Sequence, residues 1–357
     1  MPCKDIAIWQ AAEAVDETLG IRPADSERLD AIRVRPARFS LDRLQRHMES
    51  SQPVVFRDCP VSVKTSAGQD TVEALVALIL AGFPEDQRAR VKTGRDARIR
   101  LLDVPELVRR WKSGKPRINV TDLHIRGTRF EDGIESSVLT DGNILLEGSQ
   151  AIARQELFTL LMATRGAMSD SHSDDPDGSN HCFVGQKLWL AWDTFEGKAK
   201  GLEDVSRDTC RARPHFSMRK FFSLKSARWF TVEKNQTLFL PGRMTHKVIT
   251  LEPYIGVGCF YITLPNCLGT LARWNRYGPL WSLDAKKNDS LVGEIAVAVI
   301  ATIERMRPAP AQERTRVGFR YLKLARERFE REVPASERSR LRKIPSFARL
   351  LSVVGAI

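Results

Sequence analysis

No stretch of this 357-residue chain approaches the eighteen or so consecutive apolar residues that a membrane span needs. The longest apolar run, residues 74–83, has the length of a buried helix, so no membrane partner is expected. The opening Met1-Pro2-Cys3-Lys4-Asp5 lacks a basic segment followed by an apolar one, so a secretory signal is not expected either. Six cysteines are scattered without a C-x-x-C pair, which argues against a zinc ribbon, a zinc finger or a dense disulfide framework. There is no internal repeat and no low-complexity segment. These absences lead to the expectation of a reduced, intracellular protein of the cytoplasm or nucleus.

At 42% hydrophobic and 28% charged residues, the composition is that of a globular chain with enough length for a large core. The net charge is +12, and residues 301–357, with 14 Lys/Arg against 6 Glu, hold +8 of it. That excess suits nucleic acid, an acidic protein surface, or simple solubility. Glutamates interleave with the arginines at helical spacing (Arg326-Glu327-Arg328, Glu330-Arg331-Glu332), as on a solvated helix face.

Helical patterns cover residues 5–19, 25–32 and 40–50, the last with Ser40 as N-cap. Residues 53–56 read as a strand, 71–83 as a buried helix and 104–112 as an amphipathic one. Short β-rich runs follow at 118–125, 157–162, 187–192, 229–232, 237–240 and 255–263, a spacing that fits a sandwich or barrel. Helical periodicity returns at 291–306 and 314–332, with Leu291, Ile295, Val299 and Ile303 on one stripe and Phe319, Leu322, Leu324 and Phe329 on another. The predicted fold class is a mainly β core with flanking helices (α+β). The predicted segments are a helical one over 1–50, a β-domain over 51–270, and a basic helical one over 271–357.

Of six histidines, His172 stands out because it opens His172-Ser173-Asp174 just after a strand and the Arg165-Gly166 turn. In extended chain, residues i and i+2 share a face, so this His and this Asp look the same way and can hold one metal ion. His246, placed between the turn Pro241-Gly242 and the strand-like Lys247-Val248-Ile249, is the candidate third ligand. Two His and one carboxylate leave metal positions open, the arrangement of non-haem Fe(II) oxygenases. His47 and His124 read as structural. His181 and His215 read as loop or surface residues, and Asp175 and Asp177 as turn caps. Trp189, Trp192, Phe195, Phe221, Phe222 and Trp229 read as core, and Arg211, Arg213, Arg219 and Lys220 as a basic mouth or a solvated insertion.

The stretch Gly166, Ser169, His172-Ser173-Asp174, Gly185-Gln186-Lys187, with Pro241 and His246 later and Phe260-Tyr261 beyond, resembles the Jumonji C (JmjC) oxygenases of the cupin superfamily, and among them the asparaginyl-hydroxylase type. Gln52-Pro53-Val54-Val55-Phe56-Arg57 and the segment from Trp111 to Leu123 are similar to the family's upstream regions, so the resemblance covers about residues 50–265. It implies a double-stranded β-helix, the cupin/JmjC barrel. It implies Fe(II) on His172, Asp174 and His246, 2-oxoglutarate paired with Lys187 and Ser169, and O₂ as the oxidant. Two positions depart from the family pattern. Gly178 stands where a polar contact to the cosubstrate is common, with Asn180 as a substitute, and Cys259 stands where the asparaginyl hydroxylase has Asn. The implied activity is a 2-oxoglutarate-dependent dioxygenase that hydroxylates, or N-demethylates through hydroxylation, a protein or peptide. The alternatives are a small-molecule oxygenase of a biosynthetic pathway and a non-catalytic cupin binding module with a basic tail. The C-terminal helices are candidates for a homodimer contact or for nucleic acid, with packing of those helices preferred.

Overall fold

A computed structural model describes residues 3–50, 52–64, 71–93, 98–148, 157–174, 176–202, 216–242, 244–277 and 285–357. In chain order the strands are β1 (Ala37–Arg38), β2 (Val54–Arg57), β3 (Ser62–Val63), β4 (Arg88–Thr93), β5 (Arg98–Asp103), β6 (Ile118–Asp122) and β7 (Ile134–Glu135). They continue as β8 (Phe158–Ala163), β9 (Met168–His172), β10 (Asp177–Asp193), β11 (Arg228–Glu233), β12 (Gln236–Leu240) and β13 (Met244–Tyr261). Eleven of them form one sheet in the order β1-β2-β12-β10-β13-β8-β6-β4-β5, with β11 also on β10 and β9 also on β13, while β3 and β7 form a separate ribbon.

Two long strands organise this sheet. β10 and β13 pair antiparallel from Asp177↔Tyr261 to Asp193↔Met244, with register slips between Cys182 and Lys187. At the slip Gly185 has φ +86°, and a Cβ there would stand 2.0 Å from the Pro253 carbonyl oxygen, so only glycine fits. Upstream of it β10 also pairs with β12, and downstream with β11. β13 likewise changes partner from β9 to β8. One sheet thus becomes two halves joined at a bulge, and the largest site cavity lies between residues of both. The strand path has ends at β1 and β5 and does not close among the described residues. The fold is mixed α/β with one large sheet and flanking helices, and the barrel implied by the resemblance is not seen as a closed sheet among the described residues.

Local signals explain the elements that brace the sheet. Ser40 Oγ accepts from the Arg43 amide at 3.2 Å ahead of helix Leu41–Ser50, as its N-cap pattern predicts. Helix Val104–Ser113 is capped by Asp103, whose carboxylate accepts from the Glu106 amide, and ends at Gly114 in the left-handed region. Its buried Trp111 donates to the carbonyls of Ala163 and Tyr254, both at 3.1 Å, tying the helix to β8 and β13.

The C-terminal helices Ala285–Met306, Ala311–Arg316, Leu322–Glu332, Ala335–Leu341 and Pro345–Gly355 lie against the rest of the chain. Leu291, Ile295, Val299 and Ile303 are buried in one hydrophobic cluster with Val54, Phe158 and Ile255. The continuous helix expected over 314–332 is broken at Gly318, where φ is +72° and an added Cβ would meet Pro265 Cγ at 2.4 Å. Phe319, Leu322 and Phe329 are buried, whereas Leu324 faces solvent. The interleaved charges pair on the surface, Arg328 with Glu332 at 2.7 Å and Arg342 with Glu330 at 3.0 Å. Exposed pairs of this kind contribute about 0–1 kcal/mol each, whereas a buried Leu or Ile contributes about 1.5–3 kcal/mol. Deleting residues 284–357 is therefore expected to yield insoluble or non-cooperatively unfolding protein at any salt concentration, checked by solubility and urea titration. No helix among the described residues is long and apolar enough to cross a membrane.

Candidate metal centre

β9 ends at His172, and the pairing of β9 with β13 sets His246 directly across from it. The two imidazole centroids are 4.2 Å apart. Asp174, two residues on, brings Oδ2 to 3.7 Å from His246 Nε2. Ligand atoms of His172, Asp174 and His246 all lie within 4.8 Å of one another. Bonds of about 2 Å to N and O ligands put neighbouring ligands roughly 3–4 Å apart around one first-row ion, so this donor set fits such an ion. His246 Nδ1 lies 3.0 Å from the Met244 carbonyl oxygen. A carbonyl only accepts, so Nδ1 carries a proton, and Nε2, the ring nitrogen on the Asp174 side, is the atom that would ligate a metal. The Trp189 ring, 5.3 Å from that imidazole, packs beside it.

Lys187 is buried on β10 with its Nζ 4.3 Å from the centre of the Tyr254 ring. Among the described residues it has no carboxylate partner, and burial pushes its ammonium down to about 8. Ser169 Oγ is buried without a hydrogen-bond partner among the described residues. Asn180 Oδ1 accepts from the Tyr254 hydroxyl. Lys187, Ser169 and Asn180 line one cavity of about 630 Å³ together with His172, Asp174 and His246. Gly178 and Cys259 line it too, and a Cβ on Gly178 would approach only Phe260, at 3.7 Å. All six residues singled out from the sequence therefore meet in one place. Tyr254, which carries the lysine on its ring face, was missed. Its signal is the Pro253-Tyr254 step opposite Gly185, which becomes readable only once β10 and β13 are paired.

Other expectations are corrected. His181 is a fully buried strand residue instead of a loop one, with Nδ1 at 2.7 Å from Thr237 Oγ1. Burial lowers its pKa to about 3, and it lies outside the three-residue cluster. Phe195 is exposed, whereas Trp192, Phe221 and Trp229 are core as expected. Asp175, Arg211, Arg213 and His215 lie outside the described residues.

Asp177 caps no turn. Its buried carboxylate accepts from the Gly242 amide at 2.6 Å, Thr270 Oγ1 at 3.0 Å, Arg273 Nη2 at 2.8 Å and Asn266 Nδ2. This ties the chain just after Asp174 to the turn before His246 and to helix Cys267–Tyr277. Asp177→Ala would break the buried Asp177–Arg273 pair, and a broken buried pair costs about 3–5 kcal/mol. Urea unfolding is expected to show a loss of that size, with weaker metal binding in the fraction that stays folded.

Compared with known proteins, the chain matches no family model and no curated protein.

Proposed function

We propose that this chain is an Fe(II)- and 2-oxoglutarate-dependent oxygenase of the JmjC kind, its sheet an open form of the double-stranded β-helix, acting on a protein or peptide by C–H hydroxylation. On an N-methyl carbon the same reaction ends in loss of formaldehyde and demethylation. The observation that carries this reading is Lys187. A buried ammonium without a carboxylate partner among the described residues, in the cavity that holds two histidines and an aspartate, calls for an anionic ligand beside a metal.

His172, Asp174 and His246 would hold the Fe(II). When bound, the iron supplies the O₂ chemistry that splits 2-oxoglutarate into succinate and CO₂ and puts the other oxygen atom into the substrate. Lys187 binds the distal carboxylate of the cosubstrate by a charge-assisted hydrogen bond, and the Ser169 hydroxyl, unpartnered among the described residues, is a second donor. The Tyr254 ring and the Tyr254–Asn180 hydrogen bond keep the lysine from moving aside. The Met244 carbonyl holds the proton on His246 Nδ1, so the ligating nitrogen stays basic. Trp189, Leu238, Leu240 and Val248 line the same cavity and exclude water from the reacting carbon.

Anaerobic equilibrium binding tests this reading. One Fe(II) per chain is expected, with 2-oxoglutarate binding strengthened by the metal. A chain that takes up neither, or that binds 2-oxoglutarate equally well after Lys187→Ala, would refute it.

A further inference from the structure

We infer that the outer hairpin β4–β5 is the docking surface for an acidic peptide, which lies along β5 and delivers its reacting side chain into the cavity; the substrate role rests on the oxygenase reading above. The sheet ends at β5, which among the described residues pairs with β4 and with no other strand. An end strand offers backbone N–H and C=O groups to an added strand, and proteins commonly blunt such edges with charge, proline or a cover. Here the end strand presents Ile99, 52% exposed, and Leu101, 65% exposed, with the exposed Arg100 between them.

The register links this edge to the site. Lys92 pairs with Ile99 and Arg90 with Leu101, so these four side chains share one face. Arg90, Lys92 and Ile99 line the cavity that also holds His172, Asp174 and Lys187. A strand laid on β5 therefore runs past the mouth of the metal centre.

Charge selects the occupant. Residues 88–103 contain six Lys/Arg and two Asp, and Asp103 is engaged in capping the following helix. A second copy of this chain, pairing edge to edge, would set basic strand against basic strand. RNA is disfavoured because the hairpin holds no aromatic residue on which bases stack, while its exposed side chains include the aliphatic Ile99 and Leu101 beside the arginines. An acidic peptide with alternating aliphatic side chains satisfies the charge, the apolar positions and the open backbone together.

The test uses the full-length chain and a fluorescein-labelled peptide of alternating glutamate and valine, read by fluorescence anisotropy without turnover. Lys92→Glu combined with Leu101→Asp is expected to weaken binding by about tenfold or more, whereas Arg338→Glu, in the C-terminal helices, leaves it unchanged. The matching lysine–valine peptide is expected to bind more weakly than the acidic one. Hydrogen exchange on the unsubstituted chain is expected to show peptide-dependent protection of the alternate amides within Ile99–Leu101 that point away from β4. Tighter binding of oligouridylate than of the acidic peptide, or unchanged binding by the double variant, would overturn the proposal, as would absence of protection at those amides. A chain that shows the binding and the protection but makes no succinate keeps the docking surface and loses the oxygenase reading. One that makes succinate without either loses the docking surface alone.

Discussion

Lys187→Met is expected to give a more stable protein that no longer holds 2-oxoglutarate. Burial lowers the Lys187 pKa from 10.5 to about 8, so the folded chain binds that proton less tightly than the unfolded chain does. The sign follows directly. Between about pH 8 and 10.5 the unfolded chain carries the extra proton, and stability rises with pH across that window. Below about pH 8 both states are protonated and the whole cost is present, roughly 3 kcal/mol at 1.36 kcal/mol per unit. Methionine removes the cost at neutral pH and should abolish the rise between pH 8 and 10.5, both measurable by urea unfolding. Cosubstrate binding moves the other way. Removing one partner of a buried charged pair costs about 2–5 kcal/mol, so the Kd for 2-oxoglutarate should rise about a hundredfold or more. In the unsubstituted chain the same Kd should climb as pH passes about 8, where Lys187 loses its charge. Lys187→Ala should spare Fe(II) affinity while losing 2-oxoglutarate. Loss of both ligands together, or a less stable methionine variant, would make Lys187 a structural residue.

Asp174→Ala and His246→Ala should each weaken metal binding by more than about a hundredfold, beyond the 10–100-fold typical of residues behind the ligands. Each removes one of three donors gathered within 4.8 Å, and neither residue belongs to the hydrophobic core clusters. His181→Ala is the control. Its imidazole is buried against Phe183, with ring centroids 4.8 Å apart, and it stands outside the ligand cluster. That variant should lose stability and retain metal affinity once folded. Calorimetric metal titration of the three variants separates these outcomes, and retained metal affinity in Asp174→Ala would remove the carboxylate from the centre.

The His172–Asp174 pair of the candidate cluster was legible because it is local, an i, i+2 pair beside a turn, and His246 was placed by a strand, Pro241 and Gly242, whereas Lys187 was singled out by the resemblance. Ser40 and Gly114 likewise announced helix ends through chemistry confined to one turn. What stayed hidden depends on partners far along the chain. Asp174-Asp175-Pro176-Asp177-Gly178 reads as turn chemistry, yet Asp177 is claimed by Arg273, 96 residues away. β10 begins ten residues before its predicted start because Cys182–Gly185 pass through a bulge fitted to Pro253. His181 therefore sits in a strand core and not in a loop. The β4–β5 hairpin was missed although its sequence alternates charged and apolar residues, Arg88-Ala89-Arg90-Val91 and Arg98-Ile99-Arg100-Leu101, which is a strand signal. The helix break at Gly318 follows from close packing on Pro265, which no periodicity reports.

The most direct measurement is 2-oxoglutarate turnover by the full-length chain reconstituted anaerobically with Fe(II) and then exposed to O₂. The account predicts succinate and CO₂ in equal amounts, stimulated by an acidic peptide, and lost in Asp174→Ala and in Lys187→Ala alike. Succinate at the same rate in either variant, or none from a chain that binds both Fe(II) and 2-oxoglutarate, would contradict it.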